Sequence, residues 1–134
     1  MNHIINTTRA PKPIGPYSQA IQIDNFIILS GQIPIDITSN HIPDNIAEQT
    51  YIVLQNIKSI LVDAGFHVQN IIKTTIFTTH LKKIDIINEI YKQFFIDNKS
   101  GFPARSCVEV QALPKNVKIE IEAIASKKLS CEDN

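Results

Sequence analysis

Apolar and polar positions alternate along this chain in two different rhythms, and the rhythm changes mark out the elements. AIQIDNFIILS reads as two short strands, Ala20 to Ile23 and Phe26 to Ser30, joined by Asp24-Asn25, a pair suited to the positive φ of a two-residue hairpin turn. A loop, GQIPIDITSNHIPD, follows. From Asn45 to Ala64 the period becomes helical: Ile46, Thr50, Val53, Ile57, Ile60, Leu61 and Ala64 recur at three- and four-residue steps. Asp44 is the expected N-cap and Gly65 the expected stop.

Ile71 to Thr78 (IIKTTIFT) is β-branched throughout most of its length and reads as a strand. A second helix is expected over about Ile84 to Phe95, with Ile87, Ile90, Tyr91 and Phe94 on one stripe, ending before the turn-forming DNKSGFP. Two strands close the chain, Arg105 to Val110 and Val117 to Ala125, separated by a turn at ALPKN. Strands interleaved with helices at these spacings predict an α+β fold, a mixed sheet with both helices packed on one face.

Residues two apart on a strand share a face. In the last strand Val117, Ile119, Ile121, Ala123 and Ala125 form an apolar row, and Lys118, Glu120 and Glu122 point away from it. In the strand before it Ser106, Val108 and Val110 face one way, and Arg105, Cys107 and Glu109 the other. If the apolar rows lie under the helices, Arg105, Cys107 and Glu120 share the opposite face. That face is either solvated, with Arg105 in a surface ion pair of about 0 to 1 kcal/mol, or covered by an interface. Cys107 argues for a cover, because cysteine is among the most often buried side chains, and a partly buried arginine then needs an anion.

Length and charge narrow the functions. The 134 residues fit one domain, expected over 1–126 with a polar tail at 127–134, and suffice to bury roughly two thirds of the unfolded surface. Thirteen basic residues balance thirteen acidic ones, so no global field concentrates nucleic acid or an anionic membrane. The N-terminal MNHIINTTRAPKPIG lacks the apolar core of a signal peptide, and no stretch approaches the roughly 20 apolar residues of a membrane span; a cytoplasmic protein is expected. The four histidines (His3, His41, His67, His80) are scattered and the two cysteines (Cys107, Cys131) lie far apart, so neither a metal site nor a disulfide is expected.

PIGPYSQA (13–20), LSGQIP (29–34), VLQNIKSILVDAG (53–65), IIKTTIF (71–77), FPARSCVEV (102–110) and LPKNVKIEIEAIA (113–125) together closely resemble the RidA (YjgF) family of reactive-intermediate deaminases. The resemblance runs from about Thr8 to Ala125, and PARSCVEV is its most specific element. THLKKID (79–85) and the longer tail depart from the usual pattern.

The resemblance implies a chorismate-mutase-like fold in a homotrimer with ligand sites between subunits, which would supply the cover for the Arg105 face. It implies hydrolysis of 2-aminoacrylate and related enamines or imines, released by pyridoxal-phosphate enzymes, to 2-keto acids and ammonia. In that chemistry Arg105 is the expected carboxylate anchor, since a guanidinium fork matches a carboxylate bidentately. Glu120 resembles the position that orients water and relays a proton, and Tyr17 in GPYSQ offers a phenol to the carboxylate or the water. Ser30 and Gly31 are expected to present a hydroxyl and a backbone N–H to the ligand, Asn88 matches a polar family position on the second helix, and Cys107 is read as a wall and weak hydrogen-bonding group. No cofactor is needed. A non-catalytic 2-keto acid binding module is the alternative; a ribonuclease or translation inhibitor, a third reading, is disfavoured by the zero net charge.

Overall fold

Six strands pair into one mixed sheet: β1 (Asn2–Ile5), β2 (Ala20–Ile23), β3 (Phe26–Gln32), β4 (Ile71–Thr78), β5 (Ala104–Glu109) and β6 (Ile119–Ser126), in the order β1-β2-β3-β6-β4-β5. The structure is a computed structural model and describes residues 2–128; Cys131 lies outside the described residues. All neighbours are antiparallel except β4 and β5, whose parallel pairing requires a crossover connection. Helix α2 (Ile84–Asp97) is that crossover, and α1 (Ile46–Asp63) links β3 to β4.

Both helices lie on one face of the sheet, as their apolar stripes require. Ile46, Thr50, Val53, Ile57, Ile60 and Leu61 of α1 and Ile87, Tyr91, Phe94 and Phe95 of α2 are buried. They meet Ile27 and Leu29 of β3, Ile76 of β4 and Ile119, Ile121, Ala123 and Ala125 of β6 in one core. Fully burying such side chains contributes about 1.5 to 3 kcal/mol each. No helix among the described residues is long and apolar enough to cross a membrane.

Three local expectations change. Helix α1 is capped by Asn45, whose side chain accepts from the Glu48 N–H at 2.8 Å and donates to the Glu48 carboxylate at 2.7 Å. This reciprocal pair ties both residues of the first turn together, whereas Asp44 contributes its carbonyl to the Lys118 ammonium. Gly65 ends the helix as expected, at φ 84. The β2–β3 turn forms with Asp24 at φ 52. Strand β1, which the sequence reading left within a Pro-rich opening, pairs along β2 as an edge strand.

The third change bears on function. The Ser106–Val108 row of β5 does not lie under the helices. Register sets Arg105 beside Thr74, Cys107 beside Ile76 and Glu109 beside Thr78, and those three β4 residues are buried on the helix side. Ser106 and Val108 therefore share the open face with Thr75 and Phe77, and Val108 is 42% exposed. An edge strand presents two partly exposed faces, so its more apolar row need not be the one facing the helices.

Candidate active site

Glu120 leaves β6 on the open face, beside Phe77, because Ile119 and Ile121 on either side turn into the core. It lies across Gly31. The β3–β6 register passes from Leu29 opposite Ala123 to Gln32 opposite Ile121, so Ser30 and Gly31 together oppose Glu122 in a β-bulge. A methyl group at Gly31 would fall 2.1 Å from a carboxylate oxygen of Glu120. Only glycine leaves the space that this carboxylate occupies. Burial first, and the neighbouring Glu122 second, push the Glu120 carboxyl above the usual carboxylate range.

A cleft of about 380 Å³ opens over this point, lined by Ile14, Tyr17, Ser30, Gly31, Ile33, Pro114, Glu120 and Glu122. The Tyr17 oxygen accepts from the Ile14 N–H at 3.2 Å, which leaves the phenol hydrogen free to donate into the cleft. Ser30 donates its hydroxyl to the Ser18 carbonyl at 2.6 Å, so the hydroxyl presents its lone pairs to the cleft.

Arg105 occupies a different place. From β5 it reaches over α2 on the helix side, where Nη1 donates to Asn88 Oδ1 at 2.8 Å. It makes no ion pair among the described residues. Cys107 is half-buried behind it, against the core, and burial raises its thiol while the guanidinium opposes that shift. A thiol raised in this way is poorly set up to act as a nucleophile.

The seven expected site residues thus fall into two sets. Tyr17, Ser30, Gly31 and Glu120 converge on the open-face cleft; Arg105, Asn88 and Cys107 converge at the β5 edge on the helix side. The expectation that Arg105, Cys107 and Glu120 share a face is wrong within one chain, for the register reason given above. Sequence reasoning also placed Tyr91 only in the core, by its position on the apolar stripe of α2; in the structure the Arg105 Cζ lies 5.1 Å from its ring centroid, and the signal available in the sequence was its place three residues after Asn88. A larger concavity of about 620 Å³, bordered by the 6–14 segment, Ile35, Ile37 and Lys115, contains none of these groups except its neighbour Ile14.

Comparisons with known proteins find chains similar to this one in sequence and in fold. A family model described as Endoribonuclease L-PSP matches residues 7–127. A RutC family protein of Buchnera aphidicola from Acyrthosiphon pisum is 81% identical over 128 residues, covering 96% of this chain and 100% of the relative. The 2-iminobutanoate/2-iminopropanoate deaminase of Escherichia coli is 46% identical over 128 residues, with the same coverage. The structure of TdcF from Escherichia coli with bound serine superposes with a TM-score of 0.92 at 47% identity, covering 94% of this chain and 99% of that one.

Proposed function

This chain belongs to the Endoribonuclease L-PSP family, the group of RidA (YjgF) proteins, and from that premise we propose that it hydrolyses 2-imino and 2-enamino acids to 2-keto acids and ammonia. The observation that carries the reading is a pre-held arginine with no carboxylate partner among the described residues, together with a half-buried glutamate in a separate cleft whose carboxyl is pushed above the usual carboxylate range. An α-imino acid needs both: a fork for its carboxylate and a proton carrier at its imine. The serine bound in the TdcF structure carries the same α-carboxylate next to a nitrogen-bearing carbon.

In the proposed reaction Arg105 fixes the substrate carboxylate. An enamine first takes a proton on carbon and releases one from nitrogen, becoming the imine. Glu120, with the Tyr17 phenol, orients a water whose oxygen bonds to the imine carbon as its proton passes to the carboxylate. That proton is handed to the nitrogen to complete a neutral carbinolamine, whose hydroxyl proton then passes through Glu120 to the amine as the C–N bond breaks, the oxygen's electron pair forms the carbonyl and ammonia leaves. No covalent enzyme intermediate and no cofactor enter the balance. Positioning alone supplies a useful acceleration, since such imines already react with water.

The two half-sites meet when a second copy covers the open sheet face. Phe26 and Ile28 form an apolar row on β3 that is 45% and 47% exposed, and Val108 on β5 is 42% exposed, apolar surface that a neighbouring subunit would bury. The proposed assembly is a cytoplasmic homotrimer in which the Arg105 edge of one subunit closes the Glu120 cleft of the next. The family's ribonuclease description favours RNA as a second substrate, but a net charge of zero offers the phosphate backbone little. The test couples the protein to a serine or threonine dehydratase and follows early 2-keto acid release. Acceleration abolished in Arg105→Ala supports the proposal; a wild-type protein that leaves the rate unchanged refutes it.

A further inference from the structure

Tyr91 is buried in α2 with its ring beneath Arg105, the guanidinium carbon 5.1 Å from the ring centroid. Its hydroxyl is not idle: it shares a 2.7 Å hydrogen bond with Thr74, itself 1% exposed. Thr74 is the register partner of Arg105 on the adjacent strand. The ring is further held by Phe95, 4.8 Å away between centroids. One strand therefore fixes the tyrosine through Thr74, its neighbour carries the arginine, and the ring bridges the two. Asn88, one helical turn before Tyr91, takes the Nη1 edge of the same guanidinium.

We propose that Tyr91 is a positioning residue for the carboxylate clamp: its ring, locked by Thr74, sets the plane of the Arg105 guanidinium, and Asn88 sets its rotation. Two constraints from one helix leave the fork in a single orientation before any ligand arrives. Arginine otherwise loses rotamer freedom at the moment of binding, so prior immobilisation raises affinity without a new ligand contact. A ring under the guanidinium attracts it through the quadrupole and does not compete for the N–H donors that a carboxylate uses. Burial keeps the phenol protonated, which preserves the Thr74 bond across the working pH range.

This inference rests on Arg105 being the carboxylate anchor, and the experiment separates the two. Affinity of the full chain for 2-ketobutyrate is measured by calorimetry alongside KM and kcat in the dehydratase-coupled assay. Tyr91→Leu is expected to weaken 2-ketobutyrate binding and raise KM roughly fivefold with kcat within about twofold, the mark of lost uniform binding. Tyr91→Phe keeps the ring but loses the Thr74 bond that locks it, and is expected to raise KM by about two- to threefold, between wild type and Tyr91→Leu. If Tyr91→Leu fails to fold, Tyr91→Met of similar volume replaces it. A Leu or Met variant that binds 2-ketobutyrate like wild type, while Arg105→Ala does not bind it, overturns the positioning role alone. Wild-type binding by Arg105→Ala overturns the anchor and this inference together.

Discussion

Gly31→Ala perturbs the proposed chemistry through a single methyl group. The added Cβ would stand 2.1 Å from Glu120 Oε2, 2.8 Å from Cδ and 3.0 Å from Cγ. Ordinary contact is roughly 3.5 Å, so the carboxylate oxygen has to withdraw by about 1.4 Å. The obstacle is a side chain that can rotate away, and Gly31 has no left-handed φ, so the fold is expected to survive. Alanine also restricts the unfolded chain, a gain of about 0.4 to 1 kcal/mol that offsets part of the local strain. Net stability should change by no more than about 1 kcal/mol, whereas a displacement of about 1 Å at a reacting group can cost about 100-fold in rate. The assay pairs thermal unfolding with early 2-keto acid release from a coupled threonine dehydratase. A kcat/KM within threefold of wild type, with the carboxylate seen displaced in a crystal structure, would refute the claim that Glu120 acts from this position.

Other consequences are open to the same measurements. Glu120→Gln is expected to lower kcat by about 10²- to 10⁴-fold while 2-ketobutyrate binding is undiminished, because the proton carrier is lost and a negative charge near the ligand disappears. The same variant tests the raised carboxyl: a folded pKa above the unfolded one means the native state holds the extra proton, so wild-type stability falls as pH rises between them. Melting temperatures should then show Glu120→Gln gaining on wild type at pH 7 and losing that advantage below about pH 4; an advantage that grows on acidification would contradict the shift. Ile28→Asp places a charge in the exposed apolar row of the open face and is expected to yield monomers in light scattering with loss of activity. An active Ile28→Asp monomer would show that the site needs no second copy.

The helices were the most legible elements. A stripe of apolar residues at three- and four-residue steps has one stable use, and all its members from Ile46 to Leu61 are buried in α1. Strand existence was legible too, except for β1, where Asn2 and His3 give an edge strand no apolar alternation. Alternation separated the two faces of β5 correctly but could not say which one met the helices. That depends on the parallel pairing with β4, a long-range fact, and on Val108 serving the open face. The site residues were named through motif resemblance. Their division into two sets, the bulge that makes room for Glu120 and the seat of Arg105 on Tyr91 emerge only in three dimensions.

Subunit mixing tests the central claim most directly. Arg105→Ala and Glu120→Gln each remove one half-site, and each protein alone is expected to be inactive. Co-expressed in equal amounts and purified as mixed assemblies, they regenerate intact sites wherever an Arg105 from one subunit meets a Glu120 from another. Each contributing subunit has an even chance of carrying the needed residue, so about a quarter of wild-type activity should return. Mixed assemblies, verified by mass, that stay as inactive as the parents would contradict a site built between copies.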